Sequence, residues 1–505
     1  MEETKERALL KLKTEIDNDI SKIVGYAKEC TSVELYFLIY LLRNVRILRL
    51  NPSDHPPFRA VYISAVTAVY EEALKYSIQL VYKYGNHAPS IEEEGLPRFN
   101  NPLSIAVHKT ASILNSKFET TSFFELFDIK LNGDQDRYAE INMKALFEND
   151  DVKKFFDYFL RIDLSSQKET LRTLNDHLEH FRSEFDGVSD LFRAEFGVTF
   201  ETYIRFYYYI GNKLLRKLTE FFASAPKLEN GNMAPFALSS ILMFTPHIMI
   251  SEKEITDALG EKIRPLINRL ILSPEEINEK ELRFYALNRK PLLRAITGHL
   301  IVSPELFLDG LFTNTHYSFL EGKHKEAYKA KTSDLFLERI INISRKFGYR
   351  VLRRNLELFE GKQQIGDLDI VLRNRDGHTL LIEAKKHSLP LEVYFKNVQA
   401  VADRLSYLHK DWEKKVNRRI AHLSSNYSRY KIEKSFAYII VTKNPEIISH
   451  YSNLMCLTIE ELEVYLSSGN LTLSFNDVFN IMNRQSELNE AELEMIRQED
   501  LTSFI

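Results

Sequence analysis

Near Asp334 the chain changes its hydrophobic period, and that change constrains its fold more than any other feature. Before it, apolar residues recur every three or four positions. After it, short apolar runs stand between turn residues, as strands require. Both patterns together demand a helical body joined to an α/β unit. Glycine supports the helical majority: 17 residues in 505 is about half the usual ~7%.

The residues before the change read as consecutive helices. Leu12, Ile16, Ile20, Ile23 and Val24 follow a near-3.6 period over 11–27, and similar patterns predict helices over 33–50, 58–84, 103–126, 152–162, 168–185 and 203–223. Pro-, Gly- and Asn-containing breaks lie at 51–57, 85–90 and 94–97, and the clearest linker is 224–232. Four tyrosines and one phenylalanine fall between Tyr203 and Tyr209. They suit a base-stacking surface or a buried helix face, and the periodicity favours the core. Ser251, with Glu254 as a capping-box partner, opens a helix–turn–helix pattern through Leu270 around Gly260. A short strand at 299–302 precedes another helix.

From Asp334 the expected order is α-β-β-β-α-β-β-α. A helix over 334–347, N-capped by Ser333, leads to strands at 349–358, 366–373 and 378–385, the last two joined by Asn374-Arg-Asp-Gly377. A long helix from Leu391 toward His422 follows, then strands at 436–442 and 455–459. The implied domains are a helical one at 1–225, a small helical, winged-helix-like connection at 233–325, an α/β domain at 326–466 and a helical tail at 467–505.

Alternation along the hairpin strands places Leu368, Ile370 and Leu372 on one face, with Asp367 and Asp369 on the other. On the partner strand Glu383 and Lys385 oppose Leu380, Ile382 and Ala384. Carboxylates gathered on a buried sheet repel each other and lose hydration, and a divalent cation resolves that conflict. Mg²⁺ accepts one or two carboxylates and keeps several waters. Asp369 and Glu383 are the expected ligands, helped by the Ala384 carbonyl, with Mn²⁺ able to substitute. Lys385, on the same face, would position a water or stabilise charge on phosphorus.

Asp369…Glu383-Ala384-Lys385 on an Asp-Gly-linked hairpin resembles the PD-(D/E)XK nuclease superfamily, the restriction-endonuclease-like fold, over about 334–466. Residues 347–355 followed by Gly366-Asp-Leu-Asp369 are similar to its resolvase-like branches. One departure is Leu368, where the motif name has proline. The resemblance implies a Mg²⁺-dependent endonuclease acting on DNA, in restriction of foreign DNA (an antiviral setting) or in repair, while the two cysteines and the charged N-terminus point to the cytoplasm. The resemblance further implies auxiliary roles for Glu338 on the preceding helix and Gln399 on the following one, a second-metal or supporting role for Asp367, and a homodimer.

Total charge excludes little, because 67 Lys+Arg stand against 71 Asp+Glu. Local charge says more: 411–435 carries Lys414, Lys415, Arg418, Arg419, Arg429, Lys431 and Lys434 against three acids. Trp412, Tyr427 and Tyr430 are interleaved, a composition suited to nucleic acid. Two readings remain beside the deoxyribonuclease: a catalytically silent, nuclease-like binding or scaffold protein, and a nuclease acting on RNA. The helical region exceeds what a nuclease core needs and is expected to meet a protein partner.

Other chemistries find no residues. Cys30 and Cys456 are the only cysteines, which suits a reducing compartment and excludes a disulfide framework. His177 and His180 lack a third ligand at metal spacing, and neither a P-loop nor a serine-hydrolase elbow occurs. No apolar stretch reaches the ~18 residues of a membrane span.

Overall fold

The computed structural model describes residues 2–50, 57–87, 101–127, 149–170, 174–224, 249–282, 286–295, 298–386 and 389–483. The linker expected at 224–232 and the tail beyond 483 lie outside these residues, apart from Ser224.

The first half is helical, with an N-terminal helical region followed by a mixed α/β region. Four long helices, α1 (Glu2–Glu29), α2 (Ser32–Leu50), α3 (Pro57–Tyr84) and α4 (Asn101–Leu126), pack around Ile23, Leu38, Leu74, Leu80 and Val107. Next come α5 (Asp150–Thr170), α6 (Leu174–Phe185), the short α7 (Phe192–Phe196) and α8 (Phe200–Ser224). Tyr203, Phe206 and Tyr207 of α8 are buried among Phe181, Phe192 and Phe307, so most of the aromatic run is core, while Tyr208 faces out.

The helix–turn–helix segment proves to be part of a small sheet. Strands β1 (Met249–Ser251), β2 (Ile271–Leu272), β3 (Leu292–Arg294) and β4 (His299–Val302) order as β1-β4-β3-β2 around α9 (Glu252–Leu259), α10 (Arg264–Leu270) and α11 (Ala286–Arg289). Ser251 caps α9 through the Lys253 N–H, and Glu254 pairs with Lys213 instead of closing a capping box. Tyr82 of α3 ties the bundle to this sheet, its hydroxyl accepting from Arg294 N at 3.1 Å and donating to Leu272 O at 3.2 Å.

After α12 (Pro304–Glu321), helix α13 (Lys325–Lys346) leads into the second sheet. Ser333 is therefore inside a helix and caps nothing. The stripe Tyr328, Thr332, Phe336 is buried, and the Thr332 hydroxyl donates to Tyr328 O at 2.7 Å, which lets a polar residue sit in an apolar face. Strands β5 (Arg350–Glu360), β6 (Gln363–Arg373) and β7 (Thr379–Lys385) are antiparallel neighbours. The crossover from β7 passes through α14 (Leu391–Tyr394), α15 (Val398–Leu408), a π-helical turn at His409–Glu413 and α16 (Lys414–Asn426), where one long helix is expected from sequence. It returns to β8 (Phe436–Thr442), parallel to β7, and β9 (Cys456–Thr458) pairs parallel beyond it after α17 (Ile448–Tyr451). The order is β5-β6-β7-β8-β9. Helices α13, α18 (Ile459–Ser467) and α19 (Phe475–Asn483) cover the face bearing Ile370, Leu372, Leu380 and Ile382. On the other face α16 covers Val371 and Leu381 through Leu423.

Helix α5 seats on this second sheet. Arg161, fully buried, gives Nε and Nη2 to the Glu461 carboxylate at 2.7 and 2.5 Å, Nη1 to Glu446 O at 3.0 Å and Nη2 to Cys456 O at 3.1 Å. Among the described residues, no helix is long and apolar enough to cross a membrane.

Candidate functional site

Turn chemistry fixes the register of the β6–β7 hairpin. Gly377 takes a positive φ of 87°, and the Asn374 side chain accepts the His378 N–H at 2.9 Å. The ladder runs from Arg373↔Thr379 to Ile370↔Ile382 and then stops, while β6 stays paired with β5 through Leu368, Asp367 and Gly366. The two strands separate there. Glu383 lies on the α16 face beside Arg419 and Tyr438, but the expected alternation along β6 breaks here: Leu368 packs with Val371 and Leu381 and not with Ile370 and Leu372. Where the ladder ends, the Ala384 N–H donates to Asp369 Oδ2 at 2.7 Å, so a carboxylate supplies the acceptor that β6 no longer offers.

The two acids differ in their surroundings. Burial raises the pKa of Asp369, against the Ala384 hydrogen bond and Lys385, and Asp367 and Glu383 add to the rise. Among the described residues Asp369 makes no ion pair, so its second oxygen has no cationic neighbour in contact. Glu383, only 4% exposed, is held below the usual carboxylate range: burial opposes ionisation, but Lys385 and Arg419 outweigh it. Lys385 Nζ lies 2.8 Å from Oε1, while Arg419 Nη1 at 2.7 Å and the Tyr438 hydroxyl at 2.6 Å both donate to Oε2.

The site thus unites Asp369, Glu383, Ala384 and Lys385. Asp367 is exposed and acts on Asp369 through its charge alone. Glu338 is not drawn in: it pairs at 2.7 Å with Arg354, which lies opposite Ile370 and so belongs with the α13 face. Gln399 is exposed on α15 and donates to Asp403 at 3.0 Å.

The expected nucleic-acid surface divides. Lys414 and Lys431 are exposed, whereas Lys415 pairs with Asp411 and Arg418 with Glu360. Arg429 donates to Phe359 O at 3.2 Å and stacks on Tyr430. Arg419 turns inward to Glu383. Trp412 and Tyr430 are buried, so these aromatics pack the core instead of presenting faces for stacking.

Two contributors escaped the sequence reading. Tyr438 reads as one more apolar residue of β8, although a tyrosine in a buried strand needs a partner for its hydroxyl. Gly366 has φ 138°, and a Cβ there would collide with Nε, Cζ and Nη2 of Arg419. A glycine within a strand signals such a close approach.

Among the described residues, no group of three or more His, Cys, Asp or Glu side chains is placed to hold a metal ion. The donor set here is smaller: the carboxylates of Asp369 and Glu383 where the strands part, plus the Ala384 carbonyl. Hard oxygen donors of that number fit Mg²⁺, which completes its shell with water, and do not fit a closed zinc site. No protein-family model, curated protein or solved structure matches this chain.

Proposed function

We propose that the chain is a metal-dependent endonuclease that hydrolyses DNA phosphodiester bonds. The observation that carries this reading is that Asp369, Glu383 and Lys385 gather where β6 and β7 part, Asp369 accepting the Ala384 N–H and Lys385 pairing with Glu383. The order α13–β5–β6–β7–α15/α16–β8, with β8 parallel to β7, supports it too, since a helix, an antiparallel three-strand unit, a helix and a parallel strand are what the PD-(D/E)XK resemblance implies.

Asp369 and Glu383, with the Ala384 carbonyl, would hold Mg²⁺, and the bound ion would acidify a water and offset charge on the phosphate. Asp369 suits a ligand because it makes no ion pair among the described residues and one of its oxygens is held by the Ala384 N–H, while burial raises its pKa. Glu383 holds the Lys385 ammonium at 2.8 Å, fixing a positive charge beside the same corner for the attacking water or a phosphate oxygen. Lys414 and Lys431, exposed on and just beyond α16, are suited to the flanking backbone. The setting we favour is restriction of foreign DNA or repair, with a protein partner for the helical region and a second copy to cut the second strand.

One observation favours the silent binding protein: both Glu383 oxygens are already engaged by Lys385, Arg419 and Tyr438. Supercoiled plasmid and a transcribed RNA, each incubated with Mg²⁺, Mn²⁺ or EDTA, distinguish the readings. Metal-dependent nicking of plasmid, lost in Lys385→Ala, is expected. Binding without cleavage under every condition refutes the nuclease, and cleavage of RNA alone moves the substrate.

A further inference from the structure

The guanidinium of Arg419 occupies a prepared seat. Its Nη1 meets Glu383 Oε2 at 2.7 Å, its Nε faces Ile365 O at 3.3 Å, and its side chain is 12% exposed. The seat exists because residue 366 has no side chain: a Cβ there would overlap three guanidinium atoms. Next along α16, Arg418 reaches the exposed Glu360 and leaves the site alone. The inward turn therefore belongs to position 419 and not to a generally basic helix.

Glu383 then has no oxygen to spare. Oε1 faces the Lys385 ammonium, and Oε2 accepts from Arg419 and from Tyr438. A carboxylate of this kind ligates a divalent cation only after a resident donor leaves. Tyr438 is anchored in the middle of the sheet on β8, whereas Arg419 is a long side chain at the edge of the site, bound to a carboxylate and a carbonyl. A backbone phosphate offers the planar guanidinium a bidentate partner that can compete with Glu383.

Resting on the nuclease reading, we propose that Arg419 is a cation latch: seated over Gly366, it fills the metal position at Glu383 until a nucleic-acid phosphate draws it out. Metal loading and substrate binding are then coupled, and each strengthens the other by the same factor. The free protein is kept from binding metal tightly and from cutting indiscriminately.

The test is Mn²⁺ binding to the full chain without DNA, counted by electron paramagnetic resonance. Arg419→Ala is expected to bind Mn²⁺ about tenfold tighter than wild type, the scale of one charge-assisted hydrogen bond. Arg418→Ala removes the same charge one residue away and is expected to leave Mn²⁺ affinity unchanged. Gly366→Ala keeps the arginine but blocks its seat, and is expected to tighten binding as Arg419→Ala does. A phosphorothioate DNA duplex should tighten Mn²⁺ binding to wild type and not to Arg419→Ala. If Arg419→Ala and Arg418→Ala change affinity equally, while Glu383→Gln abolishes binding, the latch is wrong and the metal site stands. Binding that is indifferent to Glu383→Gln overturns the metal site and the latch together.

Discussion

Replacing Arg161 with methionine is expected to uncouple α5 from the second sheet. The guanidinium makes four hydrogen bonds to Glu461, Glu446 O and Cys456 O, and it lies 4.6 Å from the centroid of the Phe475 ring. Methionine fills much of the volume and supplies no donor. Glu461 keeps the Thr458 N–H at 2.7 Å from its capping box, but loses its only cation among the described residues. Glu446 retains Arg404 at 2.6 Å, so the main loss falls on Glu461 and two carbonyls. Breaking a buried pair from one side costs about 3–5 kcal/mol, a large share of a typical ~5–15 kcal/mol stability. Trp412, the single tryptophan, lies in the same apolar cluster as α5 and reports the change. Urea unfolding followed by its fluorescence should shift to lower midpoint by the equivalent of that energy. Arg161→Met with Glu461→Gln should recover part of it, because the orphaned charge is gone. A shift below about 1 kcal/mol in the single variant would refute the view that this network holds α5 to the sheet.

Three further outcomes follow from individual groups. Burial, with Lys443 nearby, pushes the Lys386 ammonium down to about 7, against Glu184, while its Nζ donates to Thr332 O. The unfolded chain binds that proton more tightly, so the penalty is full below pH 7 and fades toward the ordinary lysine range. Thermal unfolding of Lys386→Met should therefore show a gain over wild type at pH 6 that shrinks by pH 10, and a constant gain would contradict this. Asp369→Asn removes a charge that burial disfavours and keeps an acceptor for the Ala384 N–H. It should raise the metal-free melting temperature and abolish stabilisation by Mn²⁺. Lys414→Ala with Lys431→Ala should lower the salt slope of DNA binding by about one per lysine in Ca²⁺ buffer, and an unchanged slope would remove both from the DNA path.

The elements that sequence exposes are those whose burial repeats. Strand β8 begins and ends where its continuous apolar run does, and α2 and α3 stand within a residue of their apolar stripes. The Asp-Gly turn fixes the β6–β7 register from Arg373↔Thr379 to Ile370↔Ile382, but period-2 alternation fails beyond it, where Leu368 joins the Val371 side of the sheet. Strands β1 to β3 have two or three residues, too short to show a period, while β4 stands at 299–302 where the sequence places it. The start of α13 is hidden because Thr332 interrupts its stripe and finds its acceptor in the preceding turn. Arg419 stands beside other basic residues, and its partner Glu383 lies 36 positions away in the chain. Only the glycine at 366 hinted that something approaches β6 there.

Anomalous scattering from crystals grown with Mn²⁺ and a phosphorothioate duplex would locate the metal relative to Asp369 and Glu383. A peak within coordination distance of both Asp369 and Glu383, next to the Ala384 carbonyl, is the expected result. Full duplex occupancy with no peak at those carboxylates, or a peak held by other residues, would contradict it.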